Sequence, residues 1–171
     1  GRVDTIFSRE IEIAQAYFIP GTEDILVTGS PNSFKGVGNV LPDGRTGNGY
    51  QHELFRVNMS TGKVTPLTRN FDPTVEQVQY HAKSKSFYLL TDNGSRQSLF
   101  RLDVKTNKIH AIDAKEDVVR GFSVASAGNT FYYFGQSLNN ADRLYSLEPS
   151  GKSKLIWDIS AEKLRGVKFT P

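Results

Sequence analysis

Hydrophobic and polar residues alternate along this chain in short runs with a two-residue period, and each run ends in a cluster of turn-forming residues. The middle of the chain shows the pattern best. Residues 75–80 (VEQVQY) alternate as an inner strand, HAKSKS is a polar turn, and residues 86–91 (SFYLLT) form the β-branched and aromatic run of a buried strand. Asp92, Asn93, Gly94 and Ser95 make a hairpin signal, because Asn and Gly tolerate positive φ. Residues 99–104 (LFRLDV) place Phe100, Leu102 and Val104 on one face of a third strand. Residues 105–108 turn the chain, with Asn107 suited to a left-handed position, and residues 109–113 form an outer strand. The third stretch follows the same plan, with strands expected at 121–125, 130–135, 143–147 and 155–159. The first does too, at 14–19, 24–28, 53–57 and 63–68, with Gly62 in the slot of Asn107.

These units are copies of one another. HELFRVNMSTGKVTPLT (52–68), QSLFRLDVKTNKIHAID (97–113) and DRLYSLEPSGKSKLIWD (142–158) are spaced by 45 residues, anchored by Leu54, Leu99 and Leu144 and the aromatics Phe55, Phe100 and Tyr145. A period of this length in a strand-rich chain is the signature of a β-propeller blade. VRGFSV (119–124) returns as LRGVKF (164–169), the start of a fourth inner strand, and residues 3–7 stand where the outer strand of a preceding blade belongs. The expectation is an all-β, partial β-propeller of three four-stranded antiparallel blades, over residues 14–68, 75–113 and 121–159, with a stray strand at each end. That makes about fourteen strands, fewer than the sixteen of the smallest ring of about four blades. The chain therefore reads as a segment cut from a longer propeller. One departure from the repeat is large: a glycine-rich insertion at residues 30–51, between the second and third strands of the first blade. It is either a surface loop without chemistry or a functional loop.

Composition changes this picture little. Eleven Phe and seven Tyr against one Met and one Trp suit a β-rich interior. The net charge of +3 is spread out, with no basic stripe, so nucleic acid is not an expected partner. There is no cysteine, hence no disulfide and no thiolate metal site, which is compatible with the cytoplasm or a bacterial periplasm. No apolar run approaches the roughly 20 residues that span a membrane as a helix.

Chemistry-bearing motifs are weak. The string closest to a nucleophile elbow is GFSVA at 121–125, which lacks the final Gly and lies inside a repeated strand. GKVT at Gly62 and GKS at Gly151 lack the earlier Gly of a phosphate loop, since Val57 and Ser146 stand there. His52, His81 and His110 show no spacing that puts two on one face as metal ligands. LPDGRTGNG (41–49) offers Asp43 and Asn48 as oxygen donors but only one carboxylate, too few for calcium. Asn58 and Asn93 open formal glycosylation sequons, meaningful in a eukaryotic secretory protein. Arg120 with Gly121, and Arg165 with Gly166, recur at blade spacing on inner strands, which face the central channel of a propeller. No catalytic, cofactor-binding or metal-ligating residue is expected in this chain, and no residue is singled out for substrate binding.

LLTDNGSRQSLFRLDVKTNK (89–108) and ELFRVNMSTGKVTPLT (53–68) resemble the blades of the propeller in the prolyl oligopeptidase family, in particular its dipeptidyl-peptidase-IV-like and acylaminoacyl-peptidase-like branches. The shared pattern is a buried strand ending in Thr-Asp, a short polar hairpin, Leu-aromatic-Arg-hydrophobic-Asp, a Thr-Gly-Lys turn and a strand ending in Leu-Thr. It covers nearly the whole chain outside residues 30–51. TolB-like and oligogalacturonate-lyase-like propellers share much of it. The resemblance implies a noncatalytic portion of a serine exopeptidase, screening short peptides for an α/β-hydrolase domain that carries Ser, Asp and His. The family's catalytic motifs, and the paired glutamates that hold a substrate amino terminus, have no match here. The alternative is a TolB-like protein-binding propeller. The lyase reading would want several histidines and a metal. In the peptidase reading the insertion is a candidate for the propeller mouth or the hydrolase interface. A three-blade segment also leaves two apolar blade faces open. A few hundred Å² on each corresponds to roughly 5–10 kcal/mol per face, so assembly with the rest of the parent, or self-association, is expected.

Overall fold

A computed structural model of the chain describes residues 5, 12–40, 50–125, 128, 130–148, 151–163 and 165–167. Among them, strands pair with their sequence neighbours in three successive groups of four. The first group is β1 (Ile13–Phe18), β2 (Asp24–Gly29), β3 (Glu53–Asn58) and β4 (Val64–Pro66), a four-stranded antiparallel sheet in that order. The second is β5 (Thr74–His81), β6 (Ser86–Asn93), β7 (Arg96–Asp103) and β8 (Ile109–Ala111). The third is β9 (Val118–Val124), β10 (Phe131–Ser137), β11 (Asn140–Leu147) and β12 (Ser153–Asp158). This is the meander of a propeller blade, three times over. Each of the twelve strands expected within the three blades is found, with ends shifted by at most three residues. The strand expected at 3–7 falls outside the described residues. So does most of the one expected at 164–169, whose described residues, 165–167, are turn and coil.

The chain divides into two compact units, residues 1–75 and 76–171. The first holds β1 to β4 and the first residues of β5. Its core is built from Ile25, Leu26, Val27, Leu54, Phe55 and Val57, all buried on the two central strands. Buried residues on both faces of β2 mark a sheet meant to be covered twice.

In the second unit, one apolar cluster joins the second and third blades. Leu90 and Leu99 of the second meet Val119, Phe122, Phe131, Tyr133, Tyr145 and Leu147 of the third. Tyr88 lies 4.9 Å, centroid to centroid, from Phe131, which stacks on Phe122 at 5.4 Å; Tyr133 stacks on Tyr145 at 5.1 Å. Hydrogen bonds fix the register of this contact. Gln79 Nε2 donates to the Phe122 carbonyl and Gln79 Oε1 accepts from the Val124 amide, both at 3.0 Å. His81 Nε2 sits 2.7 Å from the Gly128 carbonyl oxygen and its Nδ1 2.8 Å from Ser84 Oγ. Gln97 of β7 forms a parallel bridge to Val118 of β9.

The turns use the residues their geometry demands. Gly94 is the first of the two residues between paired Asn93 and Arg96, with φ +62°, the positive value a two-residue hairpin needs. The turn after the third strand is built alike in two blades. Thr61 N–H donates to Asn58 Oδ1 and Gly62 N–H to the Asn58 carbonyl; Thr106 N–H donates to Asp103 Oδ1 and Asn107 N–H to the Asp103 carbonyl. Gly62 and Asn107 carry φ of +69° and +56°, the shared left-handed slot. The Thr106 amide and hydroxyl hold the Asp103 carboxyl below its ordinary value.

A buried carboxylate organises the third blade. Glu116, in the connection between β8 and β9, accepts hydrogen bonds from Tyr145 Oη (2.5 Å) and Ser137 Oγ (2.7 Å). Burial, and then this carboxylate, push the Tyr145 phenol up to about 12. Removing the acceptor strands two donors, one of them buried. Glu116→Ala is expected to destabilise the chain by about 2–3 kcal/mol in chemical denaturation, and Tyr145→Phe by about 1 kcal/mol; equal and negligible effects would refute the network.

Candidate functional site

The insertion opens with a turn that is not a right-handed helix. Phe34, Lys35 and Gly36 have φ of +56°, +62° and +73°, three left-handed residues in a row. A bulky side chain at positive φ is strained by roughly 1–3 kcal/mol and persists only where its surroundings hold it. Here Ser33 Oγ donates to the Glu12 carbonyl (2.9 Å), Gly36 N–H to the Asn32 carbonyl (3.0 Å) and Asn39 Nδ2 to Asn32 Oδ1 (2.9 Å). The Phe34 ring stands edge-on to Phe55 at 5.0 Å. The result is a fixed wall ending in Gly38 and Asn39.

The facing wall is the segment after β4. The Leu54 amide donates to Thr68 Oγ1 and the Leu67 amide to the Leu54 carbonyl, both at 2.8 Å. Phe71 N–H donates to the Thr68 carbonyl, Gln51 Nε2 to the Asp72 carbonyl (3.3 Å) and Val75 N–H to the His52 carbonyl (3.0 Å). Arg69 Nε reaches across to the Asn39 carbonyl at 3.1 Å and ties the walls together.

Between the walls lies a cleft of about 430 Å³, lined by Pro31, Asn39, Gln51, Arg69, Phe71 and, at its base, Glu53. Glu53 is only 4% exposed, although it is a carboxylic acid at the start of β3. Its Oε2 has no hydrogen-bond partner among the described residues. Gly38 makes room for it, since a Cβ there would stand 2.6 Å from Oε2. Burial raises the Glu53 carboxyl to about 7, and the Arg69 charge opposes that shift. The group changes charge near neutral pH and sits in a cleft, the combination that marks functional sites.

The motifs weighed from sequence gather nowhere. Ser123 is an exposed residue within β9. Gly62 and Gly151 are hairpin glycines with positive φ. His52 precedes β3, His81 ends β5 rather than lying in a turn, and His110 is exposed in β8. Asp43 and Asn48 lie outside the described residues. Asn58 Nδ2 donates to Asp24 Oδ1 at 2.7 Å, while Asn93 is exposed. Arg120 pairs with Asp142 of its own blade at 3.0 Å, and Gly121 lies under the Phe134 ring, 2.7 Å from where its Cβ would be. Arg165 and Gly166 form a turn. Among the described residues no three His, Cys, Asp or Glu side chains are grouped as metal ligands, and no helix is long and apolar enough to cross a membrane. Glu53 escaped the sequence reading. The only signal was positional: the repeat has Ser98 and Arg143 where the first blade has a buried acid.

No protein-family model matches the chain. Among curated proteins, dipeptidyl-peptidase 5 of Porphyromonas gingivalis is 29% identical over 104 residues, which make up 59% of this chain and 15% of that protein. Among solved structures, TolB from Acinetobacter baumannii superposes with a TM-score of 0.59 at 14% identity, over 91% of this chain and 35% of that one. An acylaminoacyl peptidase follows at 0.58 and 14%, over 84% of this chain and 19% of that one. The β-propeller domain of the Trilobed protease from Pyrococcus furiosus follows at 0.56 and 18%, over 80% and 37%. The fold is therefore that of a β-propeller, present here as blades that form no closed sheet among the described residues. Its structural neighbours include propeller domains of prolyl-oligopeptidase-type peptidases, in line with the resemblance of the blade motifs. The chain spans a minor part of each of these proteins.

Because the Glu53 carboxyl is raised in the folded state, it favours folding fully only below its ordinary value of 4.5. That contribution is lost as pH rises through about 7. Glu53→Gln removes the ionisation and is expected to raise stability at pH 8 by up to about 3 kcal/mol, with the gain vanishing below pH 4.5. Urea unfolding at pH 4, 6 and 8 checks this; a Glu53→Gln chain no more stable than the original at pH 8 contradicts the assignment.

Proposed function

We propose that this chain is a noncatalytic propeller portion of a serine exopeptidase of the prolyl oligopeptidase type, gating the access of short peptides to an α/β-hydrolase domain of the same parent. The observation that carries this reading is the 29% identity to dipeptidyl-peptidase 5 over 104 residues. At the level of fold the choice is even, since TolB and acylaminoacyl peptidase superpose with TM-scores of 0.59 and 0.58. The blade strings at 53–68 and 89–108 add support. The physical basis of gating is rigidity: blades bonded strand to strand and packed through aromatic stacks admit extended peptides and exclude folded proteins. The insertion at 30–51 is our candidate for the mouth of the propeller or the contact with the hydrolase.

The second reading, a protein-binding propeller of the TolB type, is favoured by the 91% of the chain that TolB covers. A fluorophosphonate probe on the product of the full reading frame separates the two. Covalent labelling of one serine outside these residues, with cleavage of short peptides but not of folded proteins, is the expected result. A full-length product with no labelled serine sinks the peptidase reading in favour of the binding module.

The partner requirement has its own test. Tyr132 and Phe134 lie on one face of β10 and are 43% and 41% exposed, whereas Tyr88 and Leu90, their counterparts in the second blade, are covered by the third. The 171-residue chain alone is expected to self-associate in light scattering, and Phe134→Ser to reduce that association. A sharp monomer with cooperative melting would count against open, adhesive blade faces.

A further inference from the structure

We propose that Glu53 is a pH-sensitive latch for the cleft wall built from residues 33–39, with the neutral acid seating the wall and the ionised acid releasing it. The proposal is independent of which propeller reading holds. It rests on a contact between buried groups. Gly38 is buried, and a Cβ on it would stand 2.6 Å from Glu53 Oε2, 3.0 Å from the Pro31 carbonyl oxygen and 3.1 Å from the Phe55 ring. The wall thus sits directly on the acid. Oε2 is sealed from water and has no hydrogen-bond partner among the described residues. A neutral carboxyl loses less in such a place than a carboxylate, which is strongly disfavoured without donors. Ionisation therefore favours an arrangement that gives Oε2 water, and lifting Gly38 off the oxygen provides it.

The wall, not the strand, is the part that can move. β3 is laddered to β2 on one side and β4 on the other. The wall is held by Ser33 Oγ on the Glu12 carbonyl (2.9 Å), Gly36 N–H on the Asn32 carbonyl (3.0 Å), Asn39 N–H on the Gly36 carbonyl (3.0 Å) and Arg69 Nε on the Asn39 carbonyl (3.1 Å). Against these bonds stands the strain of Phe34 and Lys35, at φ of +56° and +62°, which lifting the wall relieves. The titratable groups on the surrounding elements are Arg69 and Asp72 after β4, Lys35 in the turn, Glu12 before β1 and His52 next to Glu53 in sequence. Of these, Arg69 alone acts on the Glu53 carboxyl, and its charge opposes the rise to about 7 that burial imposes. Once the wall lifts, the carboxyl returns toward its ordinary value of 4.5, so the lifted form gives up its proton first. Seating is complete below pH 4.5, weakens about tenfold per pH unit above that, and levels off above about 7, where both forms are ionised.

The test is hydrogen–deuterium exchange of the 171-residue chain at dilute concentration, read by mass spectrometry and corrected for the intrinsic pH dependence of exchange. Protection of the amides in residues 31–40 is expected to fall roughly seventyfold from pH 5 to pH 8. The turn of the second blade, where Asn107 N–H donates to the Asp103 carbonyl at 2.8 Å, is the control and is expected to keep its protection. Glu53→Gln keeps the shape of the side chain and cannot ionise, so its protection at 31–40 is expected to stay at the pH 5 level up to pH 8. Gly38→Ala, whose Cβ meets Oε2, is expected to leave the wall unseated, with low protection already at pH 5. Unchanged protection at 31–40 in the original chain overturns the proposal. So does a parallel fall in the control turn, or the same fall in Glu53→Gln or Gly38→Ala.

Discussion

The second and third blades each turn an apolar face toward the other, and a sheet cannot cover such a face by itself. Everything else in the second unit answers to that constraint. Leu90 and Tyr88 leave the second blade on one side and are met by Phe122 and Phe131 of the third, while Leu99 joins the same cluster. Apolar contact is non-directional and would tolerate sliding. Gln79 prevents it, since its amide replaces a missing ladder rung and bonds both the Phe122 carbonyl and the Val124 amide. A slide of one blade over the other would break both bonds.

The same constraint explains why polar groups are buried where they are. Glu116 is buried, and its two carboxylate oxygens accept from the hydroxyls of Tyr145, one of the stacked Tyr133 and Tyr145 pair, and of Ser137. The Tyr133 hydroxyl accepts from the Lys115 amide at 3.1 Å, which closes the connection between blades over the stack. Aromatic residues supply the area, and their polar tips select one register among the many that area alone would allow.

Most of this was legible in the sequence, for physical reasons that can be located. Unbroken aromatic and aliphatic runs such as 86–91 and 130–135 announce themselves as buried strands, and copying at 45 residues lets a weak signal in one blade be read from another. Gly62 and Asn107 were legible because few residues tolerate a left-handed turn. The turn at Phe34 and Lys35 was not, since neither residue advertises positive φ and the conformation is imposed by Ser33, Asn32 and Phe55 from elsewhere in the chain. His81 lies at a strand end rather than in a turn because its ring bonds both Ser84 and the Gly128 carbonyl, a contact between blades that no local pattern encodes. The recurrence of Arg with Gly had a structural origin: at Gly121 it is the space taken by the Phe134 ring across the pair.

Glu53 belongs to the other category, and the reason bears on how such a protein is read. A repeat sets an expectation at each position, and departures from it that carry an energetic cost need an explanation beyond folding. At this position the second and third blades have Ser98 and Arg143, both half-buried, the arginine paired with Asp158 at 2.7 Å. The first blade instead buries an acid against Gly38 and raises its ionisation toward neutrality. A serine or glutamine would fold there at no such cost. The departure coincides with the insertion, with the strained turn and with the cleft, all in the first blade. One connected irregularity of the first blade, an insertion whose strained turn walls a cleft over a buried acid, against regular stacking in the other two, separates the part of this chain that builds a propeller from the part that distinguishes it from other propellers.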